Sequence, residues 1–252
     1  MSRKPLRTLL RVAIPLAFWL GVWQLAALWV DLELLLPSPA AVGRSLAALA
    51  GTAEFWLSAL FTLLRVFLGL LGGALLGTVL AFLTHFFPWA DLLFSPAIRV
   101  VRATPVVSFI LLIYLWVTRA NIPGVIAAMM VLPVVWSSVT GGLSAVDPQL
   151  LELARAYRFS RWKTLRLIYL PSLRPHFISG FLTAFGLAWK SGVAAEVLCR
   201  PAWAVGTQIV QARDYLETPS LFAWTLVILL LSLTLEKLLS ALLNRINRRW
   251  SP

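Results

Sequence analysis

The sequence holds a single cysteine, Cys199, and only two histidines, His85 and His176. One thiol excludes an intramolecular disulfide, and one Cys with two His cannot assemble a four-ligand zinc cluster. Cys199 therefore reads as a packing residue. Acid is scarce too: 10 Asp and Glu stand against 22 Lys and Arg in 252 residues, and only 13% of the chain is charged. A proton-coupled carrier needs carboxylates inside the membrane, and the apolar stretches offer almost none beyond Glu196 and Glu236. A nucleotide-binding P-loop is also missing. Its lysine must follow glycines whose backbone N–H groups cradle phosphate, whereas Lys163-Thr164 and Lys190-Ser191 both follow tryptophan. With His85 and His176 both near predicted cytoplasmic interfaces, no nucleophile–base pair or metal site converges, so no catalytic residue and no metal ligand is assigned.

What the chain has is hydrocarbon. Hydrophobic residues make up 60% of it and its mean hydropathy is +0.85, far from a soluble domain. A spanning helix needs about 20 apolar residues to cross roughly 30 Å. Six segments qualify: 12–30, 55–84, 104–117, 122–143, 175–198 and 221–243. The third is short and Pro105 breaks its start, so part of 86–102 is a candidate to join it. The prediction is an all-α integral membrane protein, a polytopic bundle of about six transmembrane helices in one domain spanning 1–252. The basic N-terminus MSRKPLRTLLR resembles a signal-peptide flank, but the apolar run behind it is long and lacks a clear cleavage site, so it reads as a retained anchor.

The net charge of +12 would suggest nucleic acid in a soluble chain. Here it sorts by loop. With the N-terminus inside, Arg3, Lys4, Arg7, Arg11, Arg99, Arg102, the 155–174 cluster and Arg245, Arg248 and Arg249 are cytoplasmic. Only Arg44, Arg119, Arg200 and Arg213 fall outside. Sidedness thus accounts for the charge, nucleic acid loses its support, and both termini are expected in the cytoplasm of a plasma (bacterial inner) membrane.

Two groups of residues inside the spans stand out. Gly69, Gly73 and Gly77 repeat every fourth residue, which lets a second helix approach closely, within the subunit or across an interface. Arg65, on the same helix, must find a partner or snorkel. In the fifth span Lys190 and Glu196 lie six residues apart, on roughly opposed faces, so they are not expected to pair. With Trp189 they are candidates for a solute path, against the plainer reading of a helix contact and an interface marker.

The cytoplasmic loop of about 144–174 has its own pattern. Asp147-Pro148 starts a helix on which Leu150, Leu153, Ala154 and Tyr157 form an apolar face flanked by Glu152 and Arg155. Ser160 caps a second helix carrying Trp162, Leu165 and Tyr169, which Pro171 is expected to end or kink. Glu152, Ala154, position 158, Ile168 and Leu170-Pro171 reproduce most of the spacing E-A-A-x3-G-x9-I-x-L-P. On that motif the chain resembles the permease subunits of binding-protein-dependent ATP-binding cassette (ABC) importers. LPSP at 36–39, SALFTLLRVFLGLLGG at 58–73, VRATP at 101–105, VDPQLLELAR at 146–155 and AWKSGVAAEVL at 188–198 resemble its sulfonate, nitrate and taurine branch. Related permeases of similar appearance serve thiamine precursors, and an ion-coupled carrier is the competing class.

The resemblance implies the type I ABC importer permease fold and a chain that is not itself an enzyme. Its implied partners are a second permease subunit, most simply a homodimer, two cytoplasmic ATPase subunits that bind ATP and Mg, an extracytoplasmic solute-binding protein and membrane lipid. No cofactor is implied in this chain. It further implies that Leu150, Glu152, Leu153, Ala154, Tyr157 and Arg158 contact the ATPase. Two departures matter. Leu153 stands where the motif has alanine, and Arg158 where it has glycine. If that glycine serves a left-handed turn, arginine costs roughly 1–2 kcal/mol there, so a different turn or an ordinary backbone is the expectation.

Overall fold

A computed structural model of the chain describes residues 4–249. Arg3, counted in the basic N-terminal flank, lies outside them. The described chain folds as helices α1 (Lys4–Val30), α2 (Pro39–Ala50), α3 (Ala53–Phe86), α4 (Pro88–Ala103), α5 (Val106–Ile113), α6 (Ile122–Ser144), α7 (Pro148–Ala156), α8 (Arg161–Thr164), α9 (Leu170–Cys199), α10 (Val205–Asp214) and α11 (Thr218–Arg249). A π-helical turn, Leu165–Tyr169, joins α8 to α9. Among the described residues five helical stretches are long and apolar enough to cross a membrane, at Ala13–Val30, Ala53–Phe86, Ile122–Ser144, Arg161–Cys199 and Thr218–Leu243.

The sixth crossing differs from the sequence reading. Instead of one helix over 104–117 there are two, α4 and α5, bent by 106°. Pro105 is the cause. Its ring excludes Thr104 from the helical region, and Thr104 is extended at φ −79° and ψ 133°. Eight residues of α5 reach only about 12 Å, so neither that helix nor a plain inner loop describes the segment. Arg99 and Arg102, assigned above to an inner loop, lie near the end of α4, just before the bend.

The core is a three-helix stack of α3, α6 and α9. Val66, Leu70 and Ala74 of α3, Val131, Val135 and Val139 of α6, and Ala184, Phe185 and Trp189 of α9 are its buried residues. The glycine repeat makes the α3–α6 approach possible within the subunit. A Cβ on Gly77 would come within 2.7 Å of the Leu132 carbonyl. The same atom on Gly69 or Gly73 would run into the carbonyls of Gly124 and Ala128, one turn apart on α6. On the α6–α9 side, Gly180 receives the side chain of Ser138.

A second difference concerns Pro171. It neither ends nor breaks the helix, because α8, the π turn and α9 run on as one span, Arg161–Cys199. The wide turn satisfies the chain just before the proline. Leu170 N–H bonds to the Leu165 carbonyl, five residues back, and Pro171, which has no N–H to offer, then sits in the first turn of α9.

Candidate functional site

The segment between α6 and α9 carries the clearest local order. Asp147 caps α7 by accepting from Gln149 N–H at 2.8 Å, and Ser160 caps α8 by accepting from Lys163 N–H at 3.3 Å, both where the sequence placed them. Between the two helices Arg158 has φ 49°. Phe159 N–H bonds to the Ala154 carbonyl at 2.8 Å and Arg158 N–H to the Arg155 carbonyl at 3.0 Å. This is the paired closure of a left-handed helix terminus, the Schellman motif. The expectation of an altered turn is therefore corrected: the geometry suited to glycine is kept and arginine adopts it.

The apolar face of α7 divides in two. Leu150, Leu153 and Tyr157 are exposed, at 42%, 52% and 72%. Ala154, placed with them in the sequence reading, is instead 3% exposed. It packs with Val146, Leu151, Phe159, Ile168 and Tyr169. The division follows from helix geometry, since Ala154 and Leu151 sit on the flank of the stripe that turns back toward the start of α9. Glu152 and Arg158 are exposed at its edges.

A second constellation lies at the opposite end of α3 and α9. Glu196 is fully buried. Its Oε2 accepts from the Thr62 hydroxyl at 2.9 Å and from Gly206 N–H at 3.1 Å, while Oε1 faces the Arg65 guanidinium at 3.5 Å. Arg65 also donates to the carbonyls of Ala202 and Trp203 at 2.8 and 2.9 Å, and Thr62 accepts from Val205 N–H at 3.0 Å. The loop between α9 and α10 is thereby tied to α3 and α9 through its backbone. Arg200 and Trp203 in it adopt left-handed conformations. Gly206 is needed for closeness, because a Cβ there would stand 2.5 Å from that of Glu196. Farther out, Arg200 pairs with Asp214 at 2.9 Å. Hydrogen bonding from Arg213, with the charge of Arg200 added, holds the Asp214 carboxyl below its ordinary range.

Of the three pathway candidates, only Lys190 reaches a free surface of the chain. Trp189 is 2% exposed within the helical core, and Glu196 is closed inside the network with Arg65. These two are internal because they share the face of α9 turned toward α3. On the other face Ser179, Thr183 and Lys190 are exposed together with Leu187, and on α6 so are Ser137, Gly141 and Ser144. The Gly180–Ser138 contact joins the two rows. Elsewhere the spans turn Leu, Phe and Trp outward, as with Phe18 and Trp19 of α1, Leu68 and Leu75 of α3, and Leu230 and Leu233 of α11. A helix row of Ser, Thr and Lys is costly against lipid and suits water or a second subunit. Sequence reading missed Ser137, Ser179, Thr183 and Thr62. Short hydroxylated residues in apolar spans were the available signal.

A profile of the family described as "Binding-protein-dependent transport system inner membrane component" matches residues 73–252. The chain belongs to that family. It is 28% identical to the putative aliphatic sulfonates transport permease protein SsuC of Escherichia coli, over 97% of this chain and 94% of that protein. It is 25% identical to the taurine transport system permease protein TauC of the same organism, over 98% and 90%. Among solved structures, an amino acid ABC transporter crystallised with histidines shares the fold, with a TM-score of 0.62 at 20% identity over 81% of this chain and 97% of the other. The permease is thus a membrane component of the ABC importer class, helical throughout its spans.

Proposed function

We propose that this permease forms half of the translocation path of an ATP-driven importer for small sulfonate-type anions, and that it draws its energy from a separate cytoplasmic ATPase docked on α7. The observation that carries the reading is the exposed row Leu150, Leu153 and Tyr157. Three large apolar groups stand on a short helix outside every span, capped at both ends and packed by its other face onto the π turn that leads into α9. A helix held in this way offers a partner a preformed groove-filling face, and Glu152 adds charge at its rim. Movement imposed on α7 passes through Ala154, Ile168 and Tyr169 into the span that carries Lys190.

On this reading two copies place their Ser179–Thr183–Lys190 rows around one path. Lys190 supplies the positive charge that an anion requires, and a solute-binding protein delivers substrate from outside. ATP and Mg belong to the ATPase, both termini are cytoplasmic, and the work of this chain is to change shape. The test is Glu152→Lys and Leu153→Asp in the assembled complex. Both variants insert in the membrane in normal amounts yet lose ATPase co-purification and uptake by at least tenfold, because Asp places an unpaired charge in an apolar contact. Undiminished ATPase binding by Leu153→Asp would remove α7 as the docking site.

A further inference from the structure

Behind the exposed row of α7 lies a second feature that docking does not use. A groove of about 630 Å³ opens between the coupling loop and the end of α3, lined among others by Phe86, Phe87, Phe159, Trp162, Arg155 and Arg161. It is reached from the Ala154–Leu151 flank of α7, which packs inward beside the exposed row of Leu150, Leu153 and Tyr157.

Its position and chemistry point the same way. Phe86 is the last residue of the span α3 and Phe87 the link to α4, so one wall stands at the inner boundary of the hydrocarbon. Both are exposed, at 45% and 47%, and Phe86 meets the ring of Tyr169 edge to face at 5.5 Å. The opposite wall belongs to the cytoplasmic loop and carries two guanidinium groups. Neither Arg155 nor Arg161 has a carboxylate partner among the described residues. The neighbouring cation Lys163 is drawn onto the ring of Phe159 at 4.1 Å, leaving the two arginines as the free charges of the rim. Trp162, 76% exposed, stands beside them, as an indole does at a headgroup boundary.

We infer that this groove is a binding site for an anionic phospholipid of the inner leaflet, with its phosphate between Arg155 and Arg161 and an acyl chain against Phe86 and Phe87. Basic pockets at the cytoplasmic ends of spans attract such headgroups, and an aromatic wall beside paired guanidiniums matches an amphiphile better than a free ion. Bound there, the lipid fills the space between α7 and the α3–α4 junction. The inference requires the membrane placement of the chain but neither its substrate nor its ATPase.

Trp162 supplies the probe. The emission assigned to it, taken as wild type minus Trp162→Phe, is titrated in phosphatidylcholine vesicles with brominated phosphatidylglycerol or brominated phosphatidylcholine. Phosphatidylglycerol quenches it at about a tenth of the mole fraction that phosphatidylcholine needs. Arg155→Gln/Arg161→Gln brings the two lipids level, and 0.5 M NaCl weakens the wild-type preference without any substitution. Equal quenching by both lipids in wild type, or an undiminished preference in the double variant, overturns the site. So does displacement by 10 mM glycerol phosphate, which would make it a soluble-anion site, or loss of quenching when the ATPase subunits bind, which would give the groove to a protein partner.

Discussion

Replacing Glu196 with alanine removes the centre of the outer network, and the cost can be worked from its contacts. Gly206 N–H, buried against Glu196, loses its acceptor at about 1–3 kcal/mol. Arg65 loses the only carboxylate within ion-pair distance among the described residues. It keeps the carbonyls of Ala202 and Trp203, which places the total near the lower end of the roughly 3–5 kcal/mol typical of a broken buried pair. The loss concentrates where backbone is held, at Val205 and Gly206. Hydrogen–deuterium exchange of the permease in lipid nanodiscs reads it directly, because amide protection tracks the local opening free energy. Glu196→Ala should speed exchange in peptides covering 200–208 by about a hundredfold or more. Glu196→Gln retains an acceptor for Gly206 and should cost about 1–2 kcal/mol, roughly tenfold. Peptides at the Gly69–Gly77 contact serve as the control and should not change. Wild-type exchange at 200–208 in Glu196→Ala, or equal acceleration in both regions, refutes a local clamp.

Three further outcomes follow from the same geometry. Arg158→Gly relieves a left-handed side chain worth roughly 1–2 kcal/mol, less about 0.5–1 for the freer unfolded glycine, so exchange at Phe159 slows by a fewfold while assembly stays intact; faster exchange there would mean that the arginine makes a contact of its own. Gly73→Val drives a side chain into the α6 backbone and lowers thermal stability by at least 1–3 kcal/mol, whereas Gly72→Val, in open space, does not; equal effects would discard the packing role. Lys190→Glu reverses the charge of the exposed α9 row and should abolish uptake of an alkanesulfonate in the complete importer with ATPase assembly unimpaired, which transport assays in vesicles measure; unchanged uptake would remove Lys190 from the path.

Which parts of this were legible in the sequence follows physical range. The caps at Asp147 and Ser160 act over two or three residues, and the glycine repeat prints its spacing on a single helix, so each could be read locally. Glu196 and Thr62 are 134 residues apart. Nothing local records their meeting, and the same carboxylate that looked like a pathway group proved to be interior. Ala154 failed for a related reason, since a helical stripe shows which residues align but not where one packed flank stops and the free one starts. Pro105 was read correctly as a breaker. The helix before it, with Pro96 inside and Arg99 and Arg102 near its end, shows in the sequence only as part of 86–102 that could join the span, because its apolar run is short. Arg158 shows the opposite lesson: the motif's geometry survived the loss of the residue that makes it easy.

The continuity of Arg161–Cys199 has a mechanical consequence. Its α9 portion alone, 30 residues long, is a rod of about 45 Å, with the wide turn at Leu165–Tyr169 beside the coupling loop and Glu196 near its far end. A tilt of about five degrees at the inner end sweeps the outer end through about 4 Å, more than the 3.5 Å that separates Glu196 from Arg65. The span is therefore a lever pivoting beside the turn between α7 and α8, and the buried ion pair is the catch at its far end.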